Sequence, residues 1–104
     1  MFLSNFEQGV FITYEYDGHL RTKISKIVDT YPHIQIQINT NIVEIWYQSK
    51  LLIEIDRANN KLIFQGGSTH TEKRIINKIL SALELQYTLR SVMETFYLVN
   101  LETE

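Results

Sequence analysis

The residues that could carry out catalysis are scattered along this chain, and they form no recognisable catalytic motif. His19, His33 and His70 stand in separate segments, and none has the spacing to another histidine or to a carboxylate pair that a metal site requires. The serines lack the context of a nucleophile elbow. Cysteine is absent, which excludes disulfides, thiolate nucleophiles and cysteine-ligated zinc. We therefore expect a protein that is not an enzyme and that uses no cofactor or metal.

Residues suited to binding are better represented, first around Asp17-Gly18. An Asp-Gly pair that follows the alternating run from Val10 to Asp17 predicts a β-hairpin with a two-residue turn, and the second strand should run from His19 to about Val28. Cross-strand pairing would then place five side chains on one sheet face: Tyr14, Tyr16, His19, Arg21 and Lys23. Aromatic rings interleaved with cations resemble a stacking platform for single-stranded nucleic acid, and tyrosine and arginine also anchor protein interfaces. The alternative is a solvated face with cross-strand cation–π pairs.

A second candidate site lies on a predicted helix near residue 70. Arg74 and Lys78 stand four residues apart and share a helix face, with His70 one turn earlier, so a phosphate or an acidic partner could dock there. A plain solvated helix face is the alternative.

Trp46 is a third candidate. Val43, Ile45 and Tyr47 predict the core face of its strand, which leaves Trp46 on the opposite, mixed face, where an exposed tryptophan would mark an interface. If the sheet is covered on both sides, Trp46 is part of the core instead.

The elements that must position these residues belong to one small α+β domain. A length of 104 residues suits a single domain, and 44% hydrophobic against 21% charged residues is ordinary globular composition. The net charge of −2 is too balanced for a protein that binds nucleic acid by bulk charge. No signal-peptide pattern and no membrane-spanning apolar run is found, so we expect a cytoplasmic protein without membrane contact.

The predicted architecture is a meandering antiparallel sheet with one C-terminal amphipathic helix packed on it. Ile34, Ile36 and Ile38 alternate strictly with polar residues, and further strands are expected at 42–48, 51–56 and 61–65. After Gly66-Gly67, Thr69-His70-Thr71-Glu72 fits a capping box at the start of the helix. The predicted core is Ile34, Ile36, Ile38, Val43, Ile45, Ile53, Ile55, Leu62, Phe64, Ile75, Ile79, Leu80 and Leu83.

The segment after residue 85 has two interpretations. An apolar stripe through Leu85, Leu89, Val92, Phe96 and Val99 could continue the helix. The alternative is a closing hairpin of 87–92 and 96–100, which the many β-branched and aromatic residues favour and the poor turn chemistry of 93–95 disfavours.

From Lys61 to Val99 the pattern resembles that of small uncharacterised phage and mobile-element proteins. The resemblance is carried by 62–67 (Leu-Ile-Phe-Gln-Gly-Gly), by Thr69 and Thr71, by 74–80 (Arg-Ile-Ile-Asn-Lys-Ile-Leu) and by 96–99 (Phe-Tyr-Leu-Val). The chain departs from the pattern in the extra isoleucine between Arg74 and Asn77 and in the missing glycine after the helix. The resemblance implies a phage-like origin and a closing strand pair, and it transfers no active site.

Three functions follow as hypotheses. The first is a non-enzymatic phage or mobile-element protein that binds and blocks a host protein or ribonucleoprotein, as anti-defence inhibitors such as anti-CRISPR proteins do. The second is a small nucleic-acid-binding or regulatory module that uses the Asp17-Gly18 hairpin. The third is a virion-associated subunit that self-assembles, for instance as a homodimer.

Overall fold

Two antiparallel sheets and three helices make up the described part of this α+β protein in the computed structural model, which describes residues 2–5 (backbone alone), 10–65, 69–93 and 95–102. The strands are β1 (Phe2–Asn5), β2 (Phe11–Thr13), β3 (Ile34–Ile38), β4 (Ile42–Tyr47), β5 (Lys50–Asp56), β6 (Lys61–Phe64), β7 (Tyr87–Val92) and β8 (Thr95–Asn100). The helices are α1 (Leu20–Lys23), α2 (Ser25–Thr30) and α3 (His70–Ala82). No helix within the described ranges is long and apolar enough to cross a membrane.

The predicted meander is confirmed for β3 to β6, which form a five-stranded sheet together with β2. Strands β3 to β6 are neighbours in chain order, and β2 adds to the free side of β6, which gives the order β2-β6-β5-β4-β3. The strict alternation of the strands places apolar side chains in cross-strand rows on one face, which we call the inner face. Its rows in register are Ile12–Leu62–Ile55–Val43–Ile38 and Phe64–Ile53–Ile45–Ile36.

The predicted core is confirmed except at the free edge of this sheet. Ile38 is 42% exposed and Ile36 is half-buried, whereas the other predicted core residues are buried. Both exceptions lie on β3, the last strand of the sheet, so no further strand covers their outer side.

The predicted strand from His19 to Val28 is wrong, because this segment forms α1 and α2. Gly18 alone of the Asp17-Gly18 pair has a positive φ, of 86°, so the two-residue hairpin turn does not form. Asp17 Oδ1 instead accepts a hydrogen bond from the His19 N–H at 2.9 Å, which starts a helical segment. Leu20, Ile24 and Ile27 are buried at helical spacing on the inner face.

A two-residue turn of the predicted kind does occur, but at Gln48-Ser49. Both residues have positive φ values, of 50° and 66°, and the flanking pair Tyr47 and Lys50 is in register. This geometry is that of a type I′ hairpin turn, which glycine or asparagine usually forms. The sequence prediction ends one strand at Gln48 and begins the next at Leu51, so it places this connection one residue later than the structure does.

Helix α3 begins as the capping box predicts. Thr69 is the N-cap, and its hydroxyl accepts a hydrogen bond from the Glu72 N–H at 3.1 Å. At the other end the Leu85 N–H binds the Leu80 carbonyl and the Glu84 N–H binds the Ser81 carbonyl, a Schellman motif in which Glu84 has a φ of 61°. Gly66-Gly67, predicted as the turn before this helix, lie outside the described residues.

Of the two interpretations after residue 85, the hairpin is confirmed. Strands β7 and β8 pair from Tyr87–Asn100 to Val92–Thr95, and β1 adds to β8 in a three-stranded sheet of order β1-β8-β7. Leu89 and Leu98 join the main core, so the second sheet shares that core with the first. Helix α3 contacts both β5 and β7 and therefore links the two sheets.

Candidate functional site

The predicted hairpin platform does not form, and its five residues are dispersed. Tyr14 is buried, and burial is the main cause of the raised pKa of its hydroxyl. Tyr16 is half-buried beneath the Arg57 guanidinium, which lies 5.0 Å from the ring centroid. His19, Arg21 and Lys23 are exposed in or beside α1. These five residues therefore do not share one sheet face.

Two more of those five residues, Arg21 and Lys23, have structural partners. Arg21 Nη2 donates a hydrogen bond to the Ile36 carbonyl at 3.0 Å, on the free edge of β3. Beside it is a small cavity of about 200 Å³, which Arg21 lines together with Val28, Asp29 and Ile36. Lys23 Nζ donates to Asp17 Oδ2, and this hydrogen bond is the main cause of the lowered pKa of Asp17 and of the raised pKa of Lys23.

The second predicted cluster lies on α3, where Arg74 and Lys78 keep the predicted spacing of one helical turn. His70 meets the Phe96 ring edge-on with a centroid distance of 5.9 Å. Arg74 and Lys78 are both exposed on α3, but Lys78 alone of these three residues lines a cavity between α2 and α3.

That cavity, which we call the lysine cavity, measures about 330 Å³. Its lining is Lys23, Lys26, Ile27, Thr30, Lys78, Ser81 and Ala82. The fold thus brings together one residue from each of two predicted sites, Lys23 and Lys78. Lys26 was not predicted as a site residue, because its segment was assigned to a strand, where Lys23 and Lys26 would point to opposite faces. In the structure, α1 and α2 follow each other with Ile24 between them, and both lysines line the same cavity.

The third candidate, Trp46, lies on the face of the five-stranded sheet opposite the inner face. We call this surface the outer face. Its cross-strand rows are Phe11–Ile63–Glu54–Glu44–Gln37, Thr13–Lys61–Asp56–Ile42 and Leu51–Trp46–Gln35. The buried residues of all three helices join the core on the inner face, so these helices leave the outer face open.

Trp46 itself is only half-buried, but its indole nitrogen is enclosed. Nε1 has no hydrogen-bond acceptor among the described residues. A buried N–H without an acceptor costs about 1–3 kcal/mol relative to a satisfied one. Trp46 also lies at a β-bulge, where the register shifts between Ile45 and Trp46 and Leu51 stands opposite the indole. Bulges often re-aim a side chain next to a functional site.

The cross-strand rows of the outer face carry more negative than positive side chains. Asp56 lies opposite Lys61, whose ammonium is 4.4 Å from the Phe11 ring centroid. The pKa of Asp56 is lowered, mainly by the hydrogen bond from the Asn59 side chain. In the next row Glu44 and Glu54 are directly opposite each other, and the other members of that row carry no charge. Like charges in this position destabilise a sheet.

The described ranges contain no candidate metal site, that is, no group of three or more His, Asp or Glu residues placed to hold an ion. Comparison of the chain with protein-family models, with curated proteins and with solved structures gives no match. Function is therefore inferred from the fold and its surfaces.

Proposed function

We propose that this chain is a non-enzymatic accessory protein of a phage or mobile element that binds a host protein through the outer face and blocks it by steric occlusion. Anti-defence inhibitors, such as anti-CRISPR proteins, are the functional class. The protein would act in the host cytoplasm. The observation that carries the proposal is the open sheet face around Trp46.

Apolar area is one property that supports binding at this face. Phe11 is 48% exposed, and Ile42, Trp46, Leu51 and Ile63 are half-buried. Large apolar side chains on one open surface are typical of protein interfaces, and tryptophan is enriched among the anchor residues.

Charge supports a basic partner. Glu44, Glu54 and Asp56 on the outer face outnumber the single cation, Lys61. An arginine or lysine of the partner placed between Glu44 and Glu54 would convert their mutual repulsion into attraction. Host proteins that bind nucleic acid present such basic surfaces, and covering one would block its function.

The same charge argues against nucleic acid as the ligand of the outer face, because phosphate groups would be repelled there. The predicted nucleic-acid platform at Tyr14, Tyr16, His19, Arg21 and Lys23 is also not formed.

The test begins with the tagged protein as bait in a lysate of a candidate host, divided into nuclease-treated and untreated halves. A captured protein is then purified, and its Kd and its activity are measured with the wild type and with variants. Phe11→Ala and Trp46→Ala should each weaken binding and inhibition at least tenfold. Val92→Ala is the matched control, since Val92 is 58% exposed on the second sheet.

Equal loss in Val92→Ala and Phe11→Ala would overturn the assignment of the outer face. Capture that depends on nucleic acid would overturn the protein-blocking function and favour the nucleic-acid module. Since Trp46 is half-buried, its variant counts only alongside Phe11→Ala and with an unchanged circular dichroism spectrum.

A further inference from the structure

We propose that the lysine cavity between α2 and α3 binds a small phosphate-bearing molecule about the size of a mononucleotide. This inference is independent of the proposed function, because the cavity lies among the helices on the inner side of the five-stranded sheet and shares no residue with the outer face.

Three lysines, each from a different helix, line this one cavity. Lys23 comes from the end of α1 and Lys26 from α2, while Lys78 lies across from them on α3. No carboxylate is among the described residues that line the cavity. Like charges grouped in this way repel one another, and a bound anion would offset the part of the repulsion that Asp17 and Glu84 leave uncompensated.

The three lysines are not equally available. Lys23 is bound to Asp17, and Glu84 also lies near enough to favour its charged form. Lys26 and Lys78 are exposed and form no ion pair within the described part of the chain. They are therefore the two cations best placed to bind an incoming anion, with Lys23 adding a third positive charge that Asp17 partly offsets.

Other lining groups match the rest of a phosphate ester. The Thr30 hydroxyl already donates to the Lys26 carbonyl at 3.0 Å, while Ser81 lines the cavity and carries a hydroxyl that can donate to a phosphate oxygen. Ile27 and Ala82 form an apolar wall that can contact an organic group attached to the phosphate.

The cavity volume limits the ligand. About 330 Å³ is at the lower end of the range of small-molecule sites, which suits one nucleotide and not an oligonucleotide. Lysine is a compact point charge that binds phosphate without imposing one orientation, so recognition rests on charge and size.

The test is isothermal titration calorimetry of the purified protein at low ionic strength with three probes: inorganic phosphate, AMP and ATP. We expect saturable binding of at least one probe, and we expect its affinity to fall as salt is added. The Lys26→Ala, Lys78→Ala double variant should bind roughly 100-fold more weakly, from about tenfold for each charge-assisted hydrogen bond lost.

Arg74→Ala is the matched control, because it removes a cation one turn away from Lys78 on the same helix and outside the cavity. Its affinity for the probe should equal that of the wild type. Binding of none of the three probes, or equal weakening in Arg74→Ala and in the double variant, would overturn the site. A double variant made with glutamine in place of alanine keeps most of the side-chain length without the charge, and binding by that variant at wild-type affinity would overturn the site as well.

Discussion

The side chain of Asn77 pairs with the main chain of Leu89 as a neighbouring strand would. Asn77 Nδ2 donates to the Leu89 carbonyl at 3.0 Å, and its Oδ1 accepts from the Leu89 N–H at 2.6 Å. Strand β7 is an edge strand of the second sheet, so helix α3 satisfies main-chain groups that the sheet leaves unpaired. One residue thereby attaches the closing hairpin to the helix.

Replacing Asn77 with alanine should remove both of these hydrogen bonds. We expect the free energy of unfolding to fall by about 1–3 kcal/mol, because two main-chain groups lose their partners. Urea denaturation measures this loss, and hydrogen exchange should show faster exchange of the Leu89 amide. Lys78→Ala, on the same helix but exposed, is the control. An unchanged exchange rate of the Leu89 amide in Asn77→Ala would contradict the attachment of the closing hairpin to α3 by Asn77.

Arg21 should protect the free edge of β3. Its guanidinium covers the Ile36 carbonyl next to the exposed Ile38, and an uncovered edge strand is a template for pairing with another chain. Arg21→Ala should therefore increase self-association, which sedimentation velocity detects at high protein concentration. Arg74→Ala removes a cation elsewhere and should leave sedimentation unchanged. A monomeric Arg21→Ala protein would show that the edge is protected by other means.

Glu54→Lys should affect folding and partner binding in opposite directions. Placing a lysine opposite Glu44 converts repulsion into attraction, which should stabilise the fold by about 0.2–1 kcal/mol. The same change removes the carboxylate pair that we assign to the partner's cation, so affinity for the host protein should fall. Thermal denaturation and the binding assay give the two results separately. Tighter binding by this variant would rule out a basic partner surface.

Glu84→Gly should stabilise the end of α3. Glu84 has a φ of 61°, a left-handed conformation that glycine adopts without the steric cost of a Cβ. The expected gain is roughly 0.5–1 kcal/mol, read as a rise in Tm. Glu84→Ala keeps the Cβ and removes the same charge. Glu84→Ala therefore separates the effect of backbone conformation from that of charge. An equal rise in Tm in both variants would argue against the conformational effect.

Acid should destabilise the protein through two carboxylates. The hydrogen bonds from Lys23 to Asp17 and from Asn59 to Asp56 lower the pKa of each acceptor in the folded state. A group with a lowered folded pKa adds stability above its unfolded pKa, near 4, and loses it as pH falls through the folded value. The effect should be small because both groups are exposed. Urea unfolding from pH 7 to pH 2 measures this loss. The free energy of unfolding should decline less steeply in the double variant Asp17→Asn, Asp56→Asn than in the wild type.

Strand and helix patterns that depend on local periodicity were predictable. The alternation of Ile34, Ile36 and Ile38 predicted β3, and the Thr69–Glu72 capping box predicted the start of α3, because these signals arise within a few neighbouring residues. The closing hairpin was one of two interpretations. In the structure, the hairpin buries Leu89 and Leu98 in the core, and Asn77 binds the main chain of Leu89.

The segment from His19 to Thr30 shows the limit of such patterns. The Asp17-Gly18 signal competes there with helical spacing of Leu20, Ile24 and Ile27, and burial of those three side chains on the inner face favours the helices. The formation of α1 and α2 also determines which side chains lie together on the surface. The amino-acid sequence by itself determined β3 to β6, the helix cap, the missing cysteine chemistry and the placement of Trp46 on the face opposite Val43 and Ile45. Only the tertiary structure brought Lys23, Lys26 and Lys78 to one cavity, because helix–helix packing, and not sequence spacing, sets the distance between them.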